Sequence, residues 1–190
     1  MLKFAWEITN KRLNLDGAER PVLAINGAVP GPLINASVND KVEVTVHNKL
    51  FEERVSFHWH GIHQIGTPQM DGVGLITEAP LEPGKTKVYK YVICKPETPL
   101  APRVLVRHHL CRNGISRFVV DKPGTYWYHS HTGSQYADGL FGPLIVQNPK
   151  EKYDYEDELI FMFAEWYHRD GNEIMSEVAI IARDHNMHIC

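Results

Sequence analysis

An all-β sandwich is the fold this sequence predicts, and three observations predict it. Short segments of alternating apolar and polar residues recur through positions 1–148. Gly, Pro and Asn punctuate them at strand-like intervals. Few stretches in that region carry a 3.6-residue period.

The elements follow in order. Phe4, Trp6 and Ile8 alternate with polar or small neighbours, the pattern of a strand with one buried face. Asn26-Gly27 and Pro30-Gly31-Pro32 are turn signals. Val42, Val44 and Val46 alternate with Glu43, Thr45 and His47, a strand entered from Asn39-Asp40 and left at Asn48. Glu82-Pro83-Gly84-Lys85 turns the chain into a further strand from Thr86 to Val92, and Leu140 to Val146 reads as a closing core strand. Strands at this spacing suit a sandwich of two antiparallel sheets.

Asn148-Pro149-Lys150-Glu151-Lys152 reads as a polar linker, so residues 1–148 are expected to form one domain and 149–190 a linker with the incomplete start of a second. In that second part, Leu159 to Ala164 is an apolar run of strand length, and Ile174 to Arg183 has an amphipathic helical pattern. Residues 93–118 stand apart. Tyr91-Val92-Ile93-Cys94-Lys95-Pro96 is echoed by Phe118-Val119-Val120-Asp121-Lys122-Pro123, and joining Val92 to Val119 leaves an uninterrupted strand. The segment reads either as a long surface loop or as an insertion from a gene-model error. The rarity of structureless loops beyond about 15 residues inside compact domains favours the insertion.

Composition narrows the function classes. The 190 residues carry 20 Lys and Arg against 23 Asp and Glu, a net charge of -3, which leaves no basic patch for nucleic acid. No run approaches 18 apolar residues, so no membrane span is expected. The N-terminus lacks the apolar stretch of a secretory signal, as in a chain that is not secreted, or one that is mature or incomplete. Three scattered cysteines make neither a disulfide framework nor a cysteine zinc site, whereas eleven histidines point to imidazole as the ligand of any metal.

Four of those histidines form two identical spacings, His58-Trp59-His60 and His129-Ser130-His131. On a strand, residues i and i+2 face the same side with Cα atoms roughly 6.5 Å apart. Each pair therefore presents two imidazoles in one direction, able to serve different ions of a cluster, with a second strand supplying the matching pair. Trp59 points to the opposite face as core, and Gly61 removes a side chain where the chain leaves the site. A single zinc seldom needs two such pairs. A cupin jelly roll would place a Glu a few residues after the pair, and Gly61-Ile62-His63-Gln64-Ile65 has none. Imidazole without sulfur suits copper, by ligand type and by copper's high place in the affinity order. His63 is expected at the rim or in solvent and His47 on a strand surface.

Two longer segments carry a family resemblance. His58-Trp59-His60-Gly61-Ile62-His63-Gln64 through Gly66-Thr67-Pro68-Gln69-Met70-Asp71-Gly72, and Gly124-Thr125-Tyr126-Trp127-Tyr128-His129-Ser130-His131 through Gln135-Tyr136-Ala137-Asp138-Gly139-Leu140, resemble the two N-terminal copper signatures of the multicopper oxidases, which include laccases, ascorbate oxidases and ferroxidases. Supporting matches extend from Phe4-Ala5-Trp6 to Glu165-Trp166-Tyr167-His168, so that the resemblance covers residues 4–92 and 119–168. The resemblance implies cupredoxin-like Greek-key β-sandwich domains, of which residues 1–148 are the first. It implies that His58 binds the type 2 copper, His60 and His129 one type 3 copper, and His131 the other. Asp71 matches an acidic residue placed near that trinuclear cluster to assist proton delivery, although a turn aspartate before Gly72 reads the same way on spacing alone.

The implied chemistry is one-electron oxidation of a phenol, diphenol, ascorbate or ferrous iron, coupled to four-electron reduction of dioxygen to water. The implied location is extracellular. The resemblance also implies four more histidines and a His-Cys-His segment that builds the type 1 copper; these 190 residues contain neither, since Cys190 follows His188-Ile189. This chain alone is therefore expected to be inactive, as the N-terminal part of such an oxidase. The alternative is a non-catalytic copper-binding module or a nonfunctional truncated product.

Overall fold

Alternation at the N-terminus builds the first strand, β1 (Leu2–Asn14), which buries Trp6 and Ile8 and leaves Phe4 partly covered against the same core. In this computed structural model, residues 1–38, 40–62, 64, 67–92, 123–148, 150–151 and 153–184 are described. The strands that follow are β2 (Glu19–Ile25), β3 (Ile34–Ser37), β4 (Lys41–Asn48), β5 (Phe57–His60), β6 (Thr86–Val92), β7 (Gly124–Ser130) and β8 (Phe141–Gln147). A 3₁₀ turn spans Pro68–Met70, and one helix, α1, spans Gly171–Asp184.

The strands form two four-stranded sheets with orders β2-β1-β4-β6 and β3-β8-β7-β5. The expectation of purely antiparallel sheets is corrected: β1 pairs parallel with β4, and β3 parallel with β8. Crossing from one sheet to the other between paired strands makes this possible, because β2 and β3 intervene before the chain returns to β1's far edge. Val42, Val44 and Val46 are buried as their alternation requires.

Between the sheets lies an aromatic core. The Trp6 ring centre sits 4.5 Å from Tyr128, 5.4 Å from Phe57 and 5.9 Å from Trp59. Because Trp59 and Tyr128 point inward, their neighbours two-residue-periodic with His58, His60 and His129 must point outward. The core thus fixes the face on which the histidines stand.

The chain after β8 departs from expectation. Leu159 to Ala164 forms no strand and pairs with none among the described residues, and Phe161 and Phe163 are 73% and 94% exposed. The helical pattern at 174–183 is realised in α1. A buried ion pair, Arg20 to Asp138 at 2.9 Å, ties this region to the sandwich: Asp138 accepts the Gly171 N–H, and the Arg20 guanidinium stacks over Trp166 at 4.4 Å. His168 pairs with Asp16 at 2.7 Å on the surface. The segment 93–118, His63, and the terminal residues 185–190 lie outside the described residues.

Candidate metal centre

Strands β5 and β7 are antiparallel neighbours, in a register that sets His58 opposite His129. Period-2 geometry then brings His60 and His131 to the same face. Ring centres are 5.4 Å apart for His58 and His129, 5.6 Å for His60 and His129, 5.6 Å for His58 and His131, and 6.0 Å for His129 and His131. The nearest ligand atoms of His58, His60 and His129 all lie within 4.8 Å of one another; His131 stands just outside that group, on the far side of His58 and His129.

Hydrogen bonds choose which nitrogens are free. A carbonyl oxygen only accepts, so His58 Nδ1–H donates to the Asp71 carbonyl at 2.8 Å, and His129 Nδ1–H donates to the Ser130 carbonyl at 2.9 Å. Both rings are left with a lone pair on Nε2, the form a metal needs. His60 turns Nδ1 toward His129 Nε2 at 3.4 Å. Two donors held ~2.0 Å from a shared ion at a tetrahedral angle lie about 3.3 Å apart, so this pair has the spacing of ligands to one metal. Burial, with the added repulsion of His58, His60 and His131, holds the His129 imidazolium pKa down at about 4, against the opposing pull of the Ser130 carbonyl. Burial likewise lowers that of His60, followed by the charges of His58 and His131. Neutral rings are what ligation requires.

Asp71 reaches the site through a short loop. Its N–H closes the 3₁₀ turn onto the Pro68 carbonyl at 3.0 Å, its carbonyl holds His58, and its carboxylate lies 3.4 Å from His58 Nδ1. One residue thus closes the turn with its N–H and sets its carboxylate beside His58. Two further contacts press the loop onto β5. Trp59 Nε1–H donates to the Met70 carbonyl at 3.0 Å, and Gly72, at φ +81°, passes so close that a Cβ there would sit 1.7 Å from the Phe57 carbonyl oxygen. Gly61 turns at φ +88° against the Tyr126 ring, where a Cβ would meet the ring at 2.7 Å. Between these loops a cleft of about 420 Å³ is lined by His58, Gly61, Ile62, Gln64, Pro68 and Asp71.

Sequence reasoning missed two supports. Trp127 stacks on His60 at 5.0 Å and on His129 at 4.3 Å, a flat wall holding both rings. Its position two residues before His129 carried the signal, since period 2 puts both on one face. Tyr136 packs edge-on against His129 at 5.7 Å, from the loop that closes the second signature, where no periodicity says which side chain turns back to the histidines.

Comparison with known proteins identifies the family. The sequence profile of a family described as multicopper oxidase fits residues 7–99 and 113–151. L-ascorbate oxidase of Nicotiana tabacum is 38% identical over 173 residues, covering 90% of this chain and 25% of that protein. The iron transport multicopper oxidase FET3 of Gibberella zeae is 35% identical over 178 residues, 92% of this chain and 24% of its own length. Among solved structures, Fet3p, a multicopper oxidase that functions in iron import, superimposes with a TM-score of 0.72 at 34% identity, over 91% of this chain and 28% of that one. The laccase of Botrytis aclada does so with a TM-score of 0.62 at 36% identity, over 77% and 22%. This chain thus spans about a quarter of the length of the curated relatives it matches. With two cupredoxin-like sheets, a histidine face between β5 and β7 and a family profile running through both, the chain belongs to the multicopper oxidases.

Proposed function

We propose that this chain supplies four ligands of a trinuclear copper cluster in an oxidase that couples one-electron oxidation of a small reducing substrate to reduction of dioxygen to water. The approach of His60 Nδ1 to His129 Nε2 at 3.4 Å carries the reading, with these two rings holding one type 3 copper. His58 would hold the type 2 copper through Nε2, and His131, set apart from the close group, the second type 3 copper. Bound copper would supply the one-electron steps by which dioxygen is reduced.

The chain's own residues hold, orient and protonate. The Asp71 and Ser130 carbonyls fix the tautomers of His58 and His129, and Trp127 limits ring rotation. The Asp71 carboxylate, on the cleft beside His58, would hold a proton and hand it to reduced oxygen. Relatives are named for ascorbate, for iron transport and as laccases, so ascorbate, ferrous iron and phenols or diphenols are the candidate donors. We place the protein outside the cell by this kinship; among the described residues no helix is long and apolar enough to cross a membrane. We also read 93–118 as an insertion into a domain spanning 1–148; the family match is interrupted inside that segment, between residues 99 and 113, while its flanks 93–99 and 113–118 fall within the match.

Titration of the purified 190-residue chain with Cu(II), followed by calorimetry and electron paramagnetic resonance, tests the reading. Uptake should collapse in His60→Ala and His129→Ala, whereas uptake unchanged by both substitutions would overturn it. These 190 residues hold no His-Cys-His segment, so the copper-loaded chain is expected not to turn over a phenolic substrate.

A further inference from the structure

Besides Asp138, a second acid with a buried side chain lies outside the histidine group. Glu78 is 2% exposed at its side chain and ion-pairs with Lys87 on β6. Tyr89, also on β6, donates its Oη–H to Glu78 Oε1 at 2.8 Å. The same Oη accepts the N–H of Phe57 at 3.2 Å, and Phe57 immediately precedes His58. A hydroxyl has one proton to give, so Tyr89 keeps a lone pair aimed at Phe57 only while its proton has a fixed acceptor. Glu78 is that acceptor.

The acid also ends the loop that serves His58. Residues 71–78 leave the site at Asp71 and close on themselves, with the Thr77 N–H bonded to the Val73 carbonyl at 2.9 Å and the Leu75 N–H to the Glu78 carbonyl at 2.8 Å. Gly72 lies against the Phe57 carbonyl, and Gly74 against Ser56, where a Cβ would come within 3.0 Å of Oγ. The loop is therefore held at the front by His58 and at the back by Glu78, with β5 trapped between. Lys87 Nζ also lies 4.7 Å over the Tyr89 ring, so one ammonium meets both Glu78 and Tyr89.

We propose that Glu78 is a positioning residue for His58: through Tyr89 and Lys87 it anchors the 71–78 loop, so that the Asp71 carbonyl stays on His58 Nδ1–H and Nε2 stays free for metal. The proposal rests on reading His58 as a metal ligand, but its first consequence is visible without metal. With the anchor released, the Asp71 carbonyl withdraws, and His58 is free to adopt the other tautomer.

The test uses the full metal-free chain with ¹⁵N-labelled histidine, comparing wild type, Glu78→Gln, Tyr89→Phe and the paired change Glu78→Leu with Lys87→Met. The paired change removes both charges together, because a half-buried Lys87 left without its carboxylate would destabilise the fold for an unrelated reason. Expected are a single Nδ1–H tautomer for His58 in wild type and in Glu78→Gln, whose amide oxygen still accepts from Tyr89. A mixture is expected in Tyr89→Phe and in the paired variant. His129, held by the Ser130 carbonyl and not by the loop, is the internal standard and stays in one tautomer throughout. Cu(II) affinity should then fall about tenfold in the two loosened variants. A His58 ring locked in one tautomer in Tyr89→Phe overturns the proposal, and does so even if the paired variant fails to fold. Locked histidines in a variant that nevertheless binds copper poorly would also overturn it. A tautomer shift in a chain whose wild type binds no copper would uphold the positioning role and count against the metal reading instead.

Discussion

His129 shows what a single residue contributes to stability through its environment. Its folded pKa of about 4 lies below the ordinary 6.5, chiefly because burial disfavours the charged ring. Between those values the unfolded chain binds more protons than the folded one, so stability rises with pH through the window. The contribution is fully present above pH ~6.5 and lost as pH falls through about 4, to a total of ~3 kcal/mol. Thermal unfolding of the metal-free chain should weaken across that range, and His129→Gln should flatten the slope. Gly72 makes the opposite kind of demand, a side chain that must be missing. Gly72→Ala would force a Cβ into the Phe57 carbonyl at a backbone angle L-residues rarely adopt. A loss of about 3 kcal/mol or more in urea unfolding is expected, together with weaker Cu(II) binding as the Asp71 loop lifts from β5. At this scale much was legible: His58, His60, His129 and His131 stand where their spacing puts them. Asp71 was ambiguous because a sequence cannot say which of a residue's atoms closes a turn and which faces a site.

Among elements, β5 and β7 matter most, since their register decides which histidines meet. The sequence supplies two same-facing pairs, but an antiparallel offset of two residues toward the start of β7 would set His58 against Trp127 and disperse the group. Below them the Trp6, Trp59 and Tyr128 cluster locks the inward faces of both strands. The same dependence on partners explains Leu159 to Ala164, whose composition suits a strand but whose backbone finds no ladder among the described residues. The contact of α1 with the sandwich is more specific. Asp138, whose pKa burial raises against the pull of Arg20 and the Gly171 N–H, holds the helix start and the Arg20 guanidinium at once. Asp138→Ala strands a buried guanidinium, and a cost of ~3 kcal/mol in chemical unfolding is expected, with α1 losing its amide protection first.

For the molecule as a whole, the strands that carry the site are far apart in sequence, and the segment from 93 to 118 runs between β6 and β7. If that segment is an insertion, a chain with Val92 joined to Val119 keeps every strand pairing of both sheets. Its circular dichroism and its Cu(II) stoichiometry should match those of the full chain. Loss of the β signature on deletion would show the segment to be part of the sandwich.

The sequence by itself determined the layered β class, the inward and outward faces of each strand, and the four imidazoles, because a period of two residues is a property of the extended backbone alone. Only the tertiary structure decided that β1 and β3 take parallel partners, that His60 and His129 converge while His131 stands aside, and that Trp127 and Tyr136 wall the site. Register, sheet order and loop closure depend on how distant segments share one core, and no local pattern encodes that choice.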